Sequence, residues 1–163
     1  MVKDKPMGDC ATDRRIFFLI NRSRHVLLKW ADNYLMETLS ITTSQLVALF
    51  ILGNDDGCLL KDLSRGLGLN NSAITGLVSR MEKGGLIEKR SCELDGRASR
   101  VYITAKGKEV AEMGLPLVNQ FNEVVEEGFS DDEMDVVYRF LNSIMAKVAN
   151  SKAYEKTMGS SQD

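Results

Sequence analysis

The strongest constraint on the fold is the order of the short patterns between residues 42 and 104. Two short helical patterns are joined by a glycine-containing turn at residues 66–69, and two short strand patterns follow them. Glycine allows the sharp corner between two helices that a helix-turn-helix requires. Helix, turn, helix and hairpin in this order predict a winged helix-turn-helix.

Local signals define the helices of this segment. Thr42 and Gln45 have the spacing of a capping box, in which two side chains satisfy two free backbone donors, so a helix is expected to begin there. Asn70 or Asn71 is expected to cap the second helix of the helix-turn-helix, and Gly84-Gly85 to end it. The apolar stripe of this predicted recognition helix consists of Ile74, Leu77, Val78 and Met81.

The predicted hairpin has a long, charged tip. Residues 86–90 and 100–104 form short strand patterns, with Val101 and Ile103 on one face. The polar loop between them contains Asp95-Gly96-Arg97. The hairpin is therefore expected to project a charged loop from the winged domain.

Wide apolar stripes lie at both ends of the chain, in helices expected near residues 13–39, after Thr104 and after Ser130. A monomer of this size cannot cover such stripes, which predicts a homodimer. The expected fold class is mainly α with a small β-hairpin, a winged helix-turn-helix whose terminal helices form a dimerisation body. The expected divisions are a flexible tail at 1–12, a helical dimerisation region at 13–40 and 105–150, the winged domain at 41–104, and a C-terminal tail at 151–163.

The composition excludes several classes of protein. Apolar residues make up 44% of the 163 residues and charged residues 27%, which is typical of a globular domain and not of a disordered chain or a disulfide scaffold. No apolar stretch is long enough to span a membrane, and residues 1–10 lack the apolar core of a secretory signal. Three separated cysteines fit reduced thiols, so a cytoplasmic protein is expected.

Charge is unevenly distributed, although the net charge is only −2. Residues 1–60 contain seven basic and seven acidic residues, residues 61–108 contain ten and five, and residues 109–163 contain four and eleven. A basic middle beside an acidic C-terminal third predicts a local anionic partner. Charge also fluctuates along chains that bind no such partner, so the pattern alone does not decide the function.

Small polar side chains lie opposite the apolar stripe of the predicted recognition helix. Such a face lets a helix approach base edges in the major groove of DNA, while Lys and Arg beside it neutralise phosphates. Arg97 suits the minor groove, with its guanidinium held by Asp95. The predicted DNA contacts are Lys61, Asn71, Ser72, Thr75, Ser79, Arg80, Lys89, Asp95, Arg97 and Arg100.

Each of these features also has a simpler interpretation. A polar outer face occurs on any surface helix, and Arg80 can be a solvated charge. Asp95 and Arg97 can form an exposed ion pair worth at most about 1 kcal/mol. The prediction of DNA binding therefore depends on the order and spacing of the elements and not on any single residue.

Three stretches resemble the MarR family of bacterial transcriptional regulators. They are residues 69–87, Asp95-Gly96-Arg97 and residues 101–107, which are similar to that family's recognition helix, its wing and the entry to its next helix. Gly76 departs from the pattern, since a larger, often basic residue is common there. The resemblance implies a homodimer whose two winged domains read a pseudo-palindrome in double-stranded DNA, most often as a repressor.

The resemblance also implies a small-molecule effector, often a phenolic or other aromatic anion, bound between the dimer body and the winged domain. Such a ligand acts only through different affinities for the states that fit and do not fit DNA. The candidate ligand-binding residues are Arg22, His25, Trp30, Phe50 and Met113. Alternatively, the apolar members of this set fill the core and the histidine is solvated.

Other functions remain open at the level of sequence. Some proteins of the resembled family sense peroxides through a reactive cysteine near the start of the first helix, but Cys10 lies upstream of that place, and Cys58 and Cys92 do not match it. One histidine and scattered cysteines make a poor metal site, and common catalytic and nucleotide-binding motifs do not occur. We therefore expect no cofactor, metal or enzymatic activity; a winged helix used only for protein contacts is the other alternative.

Overall fold

The computed structural model describes residues 14–91 and 98–149. These residues form two units that divide between Val118 and Asn119, within α5. The helices are α1 (Ile16–Leu39), α2 (Thr43–Asn54), α3 (Leu60–Leu67), α4 (Asn71–Lys83), α5 (Ala105–Glu126) and α6 (Asp131–Ala149), and the strands are β1 (Cys58–Leu59), β2 (Ile87–Ser91) and β3 (Ser99–Ile103). The predicted class, mainly helical with a small sheet in a winged helix-turn-helix, is confirmed.

Side-chain caps fix the junction between α1 and α2. The chain turns at Ser40, whose φ is 56°. Thr42 Oγ1 then accepts a hydrogen bond from the backbone N–H of Gln45 at 3.4 Å, and Gln45 Oε1 accepts one from the N–H of Thr42 at 2.9 Å, which confirms the predicted capping box. Asp32 of α1 also accepts from the N–H of Thr43 at 2.6 Å, so α1 holds the start of α2.

The corner between α3 and α4 depends on one left-handed glycine. Gly68 has a φ of 63° and ends α3, while Gly66 lies within the helix. Ser64 Oγ donates to the carbonyl of Leu69 at 2.7 Å, which closes the turn from the inside. Asn70 then caps α4, because its side chain accepts from the N–H of Ala73 at 2.9 Å.

The wing is a three-stranded antiparallel sheet in the order β1-β3-β2. Ile87 pairs with Ile103 and Lys89 with Val101, as a hairpin requires. The sequence predicted only these two strands. The additional strand pairs Cys58 with Val101, and its two residues are too few to show an alternating pattern.

The core of the first unit lies among α2, α3, α4 and the sheet. Its fully buried side chains are Leu35, Leu46, Leu49, Leu52, Leu63, Ile74, Met81, Ile87 and Val101. α5 approaches this core closely at two glycines. A Cβ on Gly107 would overlap the carbonyl oxygen of Leu86, and one on Gly114 would overlap the Leu46 side chain. Glycine at both positions is therefore a packing requirement.

The second unit contains the end of α5 and α6. Gly128, with a φ of 88°, lies in the turn between them. Glu133 accepts hydrogen bonds at 2.9 Å from both the backbone N–H and the hydroxyl of Ser130, and these bonds lower the pKa of Glu133. Tyr138 of α6 donates to the carboxylate of Glu126 at the end of α5. These contacts hold the turn and the two helices of this unit together.

Within the described ranges, no single helix has both the length and the apolar composition of a membrane span. α1 and α2 meet that test only when taken together, across a bend of 74°. The apolar side of α2 packs in the core of the first unit, where Leu46, Leu49 and Leu52 are buried.

Candidate nucleic-acid interface

The outer face of α4 brings together half of the predicted DNA contacts. The apolar stripe of Ile74, Leu77, Val78 and Met81 is buried, so the helical period turns the residues between these positions outward. The exposed predicted residues of this helix are Asn71, Ser72, Thr75, Ser79 and Arg80. The face is polar, and its side chains are short except for Arg80.

The hydroxyl of Thr75 has a defined direction. Thr75 Oγ1 donates a hydrogen bond to the backbone carbonyl of Asn71 at 2.7 Å. The hydroxyl proton is therefore used in this hydrogen bond within the helix, and the lone pairs of the hydroxyl oxygen remain available to accept hydrogen bonds. In this rotamer Thr75 can accept from the amino group of adenine or cytosine, but it cannot donate to a phosphate.

Gly76 and Arg80 are neighbours on the outer face. A Cβ built on Gly76 would lie 3.4 Å from Nη1 of Arg80, and apart from the adjacent residues and the backbone of the same helix no other atom would come within 4 Å. The guanidinium of Arg80 thus lies back over the turn that precedes it, beside Gly76. The sequence-based prediction assigned Arg80 to a phosphate contact and did not connect it with Gly76.

Lys83 is a further exposed cation on this helix that the sequence-based prediction missed. It lies four residues after Ser79 and near the end of α4. The same helical period that selected Ser72 and Ser79 selects Lys83, so the signal was present in the sequence. Together with Arg80 it places positive charge in the last turn of the helix.

The C-terminal end of α4 is fixed to the wing and to the start of α5. Glu82 of α4 accepts from the backbone N–H of Lys89 in β2 at 3.3 Å. The side chains of Thr104 and Lys106 donate to the carbonyls of Gly85 and Gly84 at 2.7 and 2.8 Å, respectively. α4 and the wing are therefore held as one body, which fixes the outer face of α4 relative to the sheet.

The remaining predicted contacts have different environments. Lys61 on α3 and Lys89 on β2 are exposed. Arg100 is half-buried, and its guanidinium donates to the carbonyl of Gly57 at 2.7 Å, so it has a structural partner. Asp95 and Arg97 lie outside the described residues.

The MarR family profile matches residues 41–99, a stretch that contains α2, α3, α4 and β2. The HTH-type transcriptional regulator SarZ of Staphylococcus saprophyticus is 25% identical over 138 residues, which cover 82% of this chain and 92% of SarZ. Residues 41–99 therefore form a MarR-family domain. The comparisons support a DNA-binding transcriptional regulator, and the family profile covers the winged domain described above up to the first residue of β3.

Two solved structures share the fold of the chain. The Staphylococcus aureus MepR–DNA complex has a TM-score of 0.75 at 20% identity and covers 83% of this chain and 99% of MepR. Bordetella bronchiseptica BpsR, whose DNA binding is regulated by 6-hydroxynicotinic acid, has a TM-score of 0.72 at 18% identity and covers 80% of this chain and 98% of BpsR.

The candidate ligand-binding residues are mostly exposed. Arg22 and His25 are exposed on α1, Trp30 is 37% exposed and Met113 is 58% exposed. Phe50 is half-buried. Within one chain, then, the three large apolar members of the set are not buried and have surface that a ligand or a second chain can cover.

Of the three cysteines considered for peroxide sensing, the described residues include Cys58, whereas Cys10 and Cys92 lie outside them. Cys58 is buried in β1. Burial raises the pKa of its thiol, and the nearby charges of Asp55 and Asp62 raise it further. A reactive cysteine requires the opposite shift, so this environment disfavours a thiolate at Cys58.

Proposed function

We propose that this MarR-family chain is a homodimeric repressor that acts in the cytoplasm, binds pseudo-palindromic operators and is released from DNA by a small aromatic ligand. The observation that carries the proposal is the uncovered apolar surface of α1 and α6, at the two ends of a chain whose middle is a capped, polar and basic α4. A second copy of the chain would bury this apolar surface, and the two copies together would present two recognition helices.

Large apolar side chains are exposed on both terminal helices. Phe17 and Phe18 on α1 are 76% and 60% exposed, and Met145 on α6 is 65% exposed. Others on these helices are Ile16, Val26, Leu27, Trp30, Tyr34, Val136, Val137, Tyr138, Phe140, Leu141 and Val148. Burial of apolar surface contributes about 25 cal/mol per Å², and extensive exposed apolar surface marks an interaction site. A two-fold dimer is the commonest way to cover it.

Two-fold symmetry determines the form of the operator. The two copies of α4 would enter successive major grooves on one side of the duplex, with half-sites about one helical turn apart. The sequence of such an operator repeats in inverted orientation, because the dimer presents the same residues twice. Bound in this way across a promoter, the dimer would exclude polymerase and so act as a repressor.

The proposed effector is an aromatic acid. BpsR is regulated by 6-hydroxynicotinic acid, a flat ring with a carboxylate. Arg22 has the guanidinium that such a carboxylate pairs with, and Trp30, Phe50 and Met113 have apolar surface for the ring. The acid would release DNA by binding more tightly to the dimer state that does not fit the operator.

Sedimentation equilibrium of the full chain at neutral pH tests the dimer. The expected mass is twice the 18.2 kDa of one chain. Phe18→Ala removes exposed apolar surface of α1 and should raise the monomer fraction, whereas Lys29→Ala, a polar exposed position on the same helix, should not. A folded monomer at micromolar concentration would contradict the proposal.

Release by ligand is tested on DNA that the chain itself retains from the genomic region flanking its gene. Adding 6-hydroxynicotinic acid or benzoic acid should lower the fluorescence anisotropy of the bound fragment, and Arg22→Ala should remove this response while leaving DNA binding intact. Unchanged anisotropy with every aromatic acid tested would argue against this effector class.

A further inference from the structure

The centre of the outer face of α4 is occupied by a glycine. Residues 72, 76, 79 and 83 follow each other by three or four positions on the side opposite the buried stripe, so Gly76 lies in the middle of this row. Ser72 and Ser79, on either side of it, are short and exposed. The row therefore has no long side chain at its middle.

Arg80 reaches into the space that Gly76 leaves. Helical side chains point toward the N-terminus and cover the turn before their own Cα, and position 80 is one turn after position 76. The 3.4 Å between Arg80 Nη1 and the Cβ position of Gly76 agrees with that direction. Alanine at position 76 would make an ordinary contact there, whereas a longer side chain would compete with the guanidinium for the same space.

We infer that Gly76 and Arg80 act together as a specificity-determining pair, in which Gly76 leaves room for the Arg80 guanidinium to read a guanine in the middle of each half-site. The inference rests on the proposed reading of operator DNA by α4. Arg80 would then replace, from one turn further along the helix, the base contact that a long residue at position 76 would otherwise make.

The chemistry of the two groups favours guanine. The guanidinium presents two parallel N–H donors, and guanine presents O6 and N7 as a pair of acceptors in the major groove. The surrounding hydroxyls are small enough to let the helix approach, and the Thr75 hydroxyl accepts and does not compete as a donor. A bidentate contact of this kind discriminates against the wrong base by about 5-fold to about 150-fold.

The test is a selection from duplexes with a randomised centre, carried out with the full-length wild type and four variants. Wild type and Gly76→Ala should enrich a guanine at one position in each half-site. Arg80→Ala and Gly76→Leu should lose the preference at that position and keep the preferences elsewhere. Lys83→Ala, the matched control on the same face, should keep the guanine.

Anisotropy titrations then measure each protein on the selected duplex and on a duplex with that guanine replaced. The wild-type ratio of dissociation constants should be at least about 5 and that of Arg80→Ala about 1. If Arg80→Ala instead weakens both duplexes equally and lowers the salt slope by about one, Arg80 contacts a phosphate and the inference is wrong.

The remaining outcomes separate this inference from the proposed function. A wild-type motif that all four variants retain would refute the pair and leave operator binding intact. A preference for guanine that Gly76→Leu retains would show that Arg80 does not need the glycine, which also refutes the pair. If the wild type enriches no sequence, operator reading fails and the inference fails with it. Circular dichroism of each variant confirms that α4 is folded.

Discussion

The guanidinium of Arg100 in β3 donates a hydrogen bond of 2.7 Å to the backbone carbonyl of Gly57, which lies 43 residues earlier in the chain. Gly57 has a φ of 85°, and a Cβ there would lie 2.5 Å from the ring of Tyr102. Asp56 beside it accepts from the N–H of Ile103 at 2.9 Å. The turn before β1 is thus fastened to β3 by both side chains and backbone, so Arg100 has a structural role in addition to its predicted contact with DNA.

Arg100→Ala should lower the stability of the winged domain. It removes a charged hydrogen bond to a part-buried carbonyl, a loss of about 1.5–3 kcal/mol. Arg65→Ala is the control, since Arg65 forms only an exposed ion pair with Asp62 at 3.1 Å, worth about 0.5 kcal/mol. Urea unfolding at one fixed protein concentration gives both values. Equal stabilities for the two variants would show that the Arg100 bond contributes nothing.

Two glycine substitutions should have opposite effects on stability. Gly114→Ala forces a methyl group into Leu46 and should destabilise by about 1–3 kcal/mol. Gly76→Ala meets only an ordinary contact with Arg80 and should stabilise by about 0.5–1 kcal/mol, because alanine loses less backbone entropy in a helix. Thermal unfolding followed by circular dichroism distinguishes the two. Stabilisation by Gly114→Ala would mean that α5 does not approach α2 as described, and destabilisation by Gly76→Ala would mean that position 76 is not open.

The buried thiol of Cys58 predicts a stability difference at alkaline pH. Its pKa is raised above the ordinary 9.0 in the folded chain, so the folded state holds the proton more tightly than the unfolded state. The resulting stability is complete below the unfolded pKa and is lost as the pH rises through the folded pKa.

Cys58→Ala removes this titration and leaves every other group in place. From about pH 8.5 upward, the free energy of unfolding of the wild type should therefore fall faster than that of the variant. Chemical denaturation between neutral pH and pH 10, under reducing conditions, measures the two slopes. Parallel curves over the whole range would show that the thiol ionises equally well in both states.

Arg97→Ala should weaken DNA binding, as the sequence predicts for a cation at the tip of the wing. The comparison is Arg139→Ala on α6, which removes the same charge from a helix of the acidic C-terminal third. Wild-type binding should also fall steeply with salt, since phosphate contacts release counterions. Negligible losses for both variants, or a flat salt response, would favour a winged helix that contacts only proteins.

Much of the fold was predictable because its signals are local. The capping box of Thr42, the cap at Asn70 and the turn after α4 are each encoded within four residues, and all three were confirmed. β1 was missed, since its two residues form a strand only through pairing with β3, more than 40 residues away. Non-local contacts of this kind leave no periodic signal in the sequence.

The candidate site also combines features that local sequence signals predict with features that depend on non-local contacts. The polar face of α4 follows from the helical period, which also selects Lys83. The direction of Arg80 depends on the missing side chain at Gly76, and the partner of Arg100 depends on a turn in another part of the chain. A sequence pattern places such residues on a face, but only the packed structure shows what each one contacts.

Base-resolution footprinting of the wild-type chain on its selected duplex tests the central claim most directly. The account predicts two protected half-sites related by a dyad, with centres about 10 base pairs apart on one side of the duplex, and two chains bound per duplex. A single protected stretch without a dyad, or protection that moves freely along unrelated sequence, would contradict a symmetric pair of recognition helices.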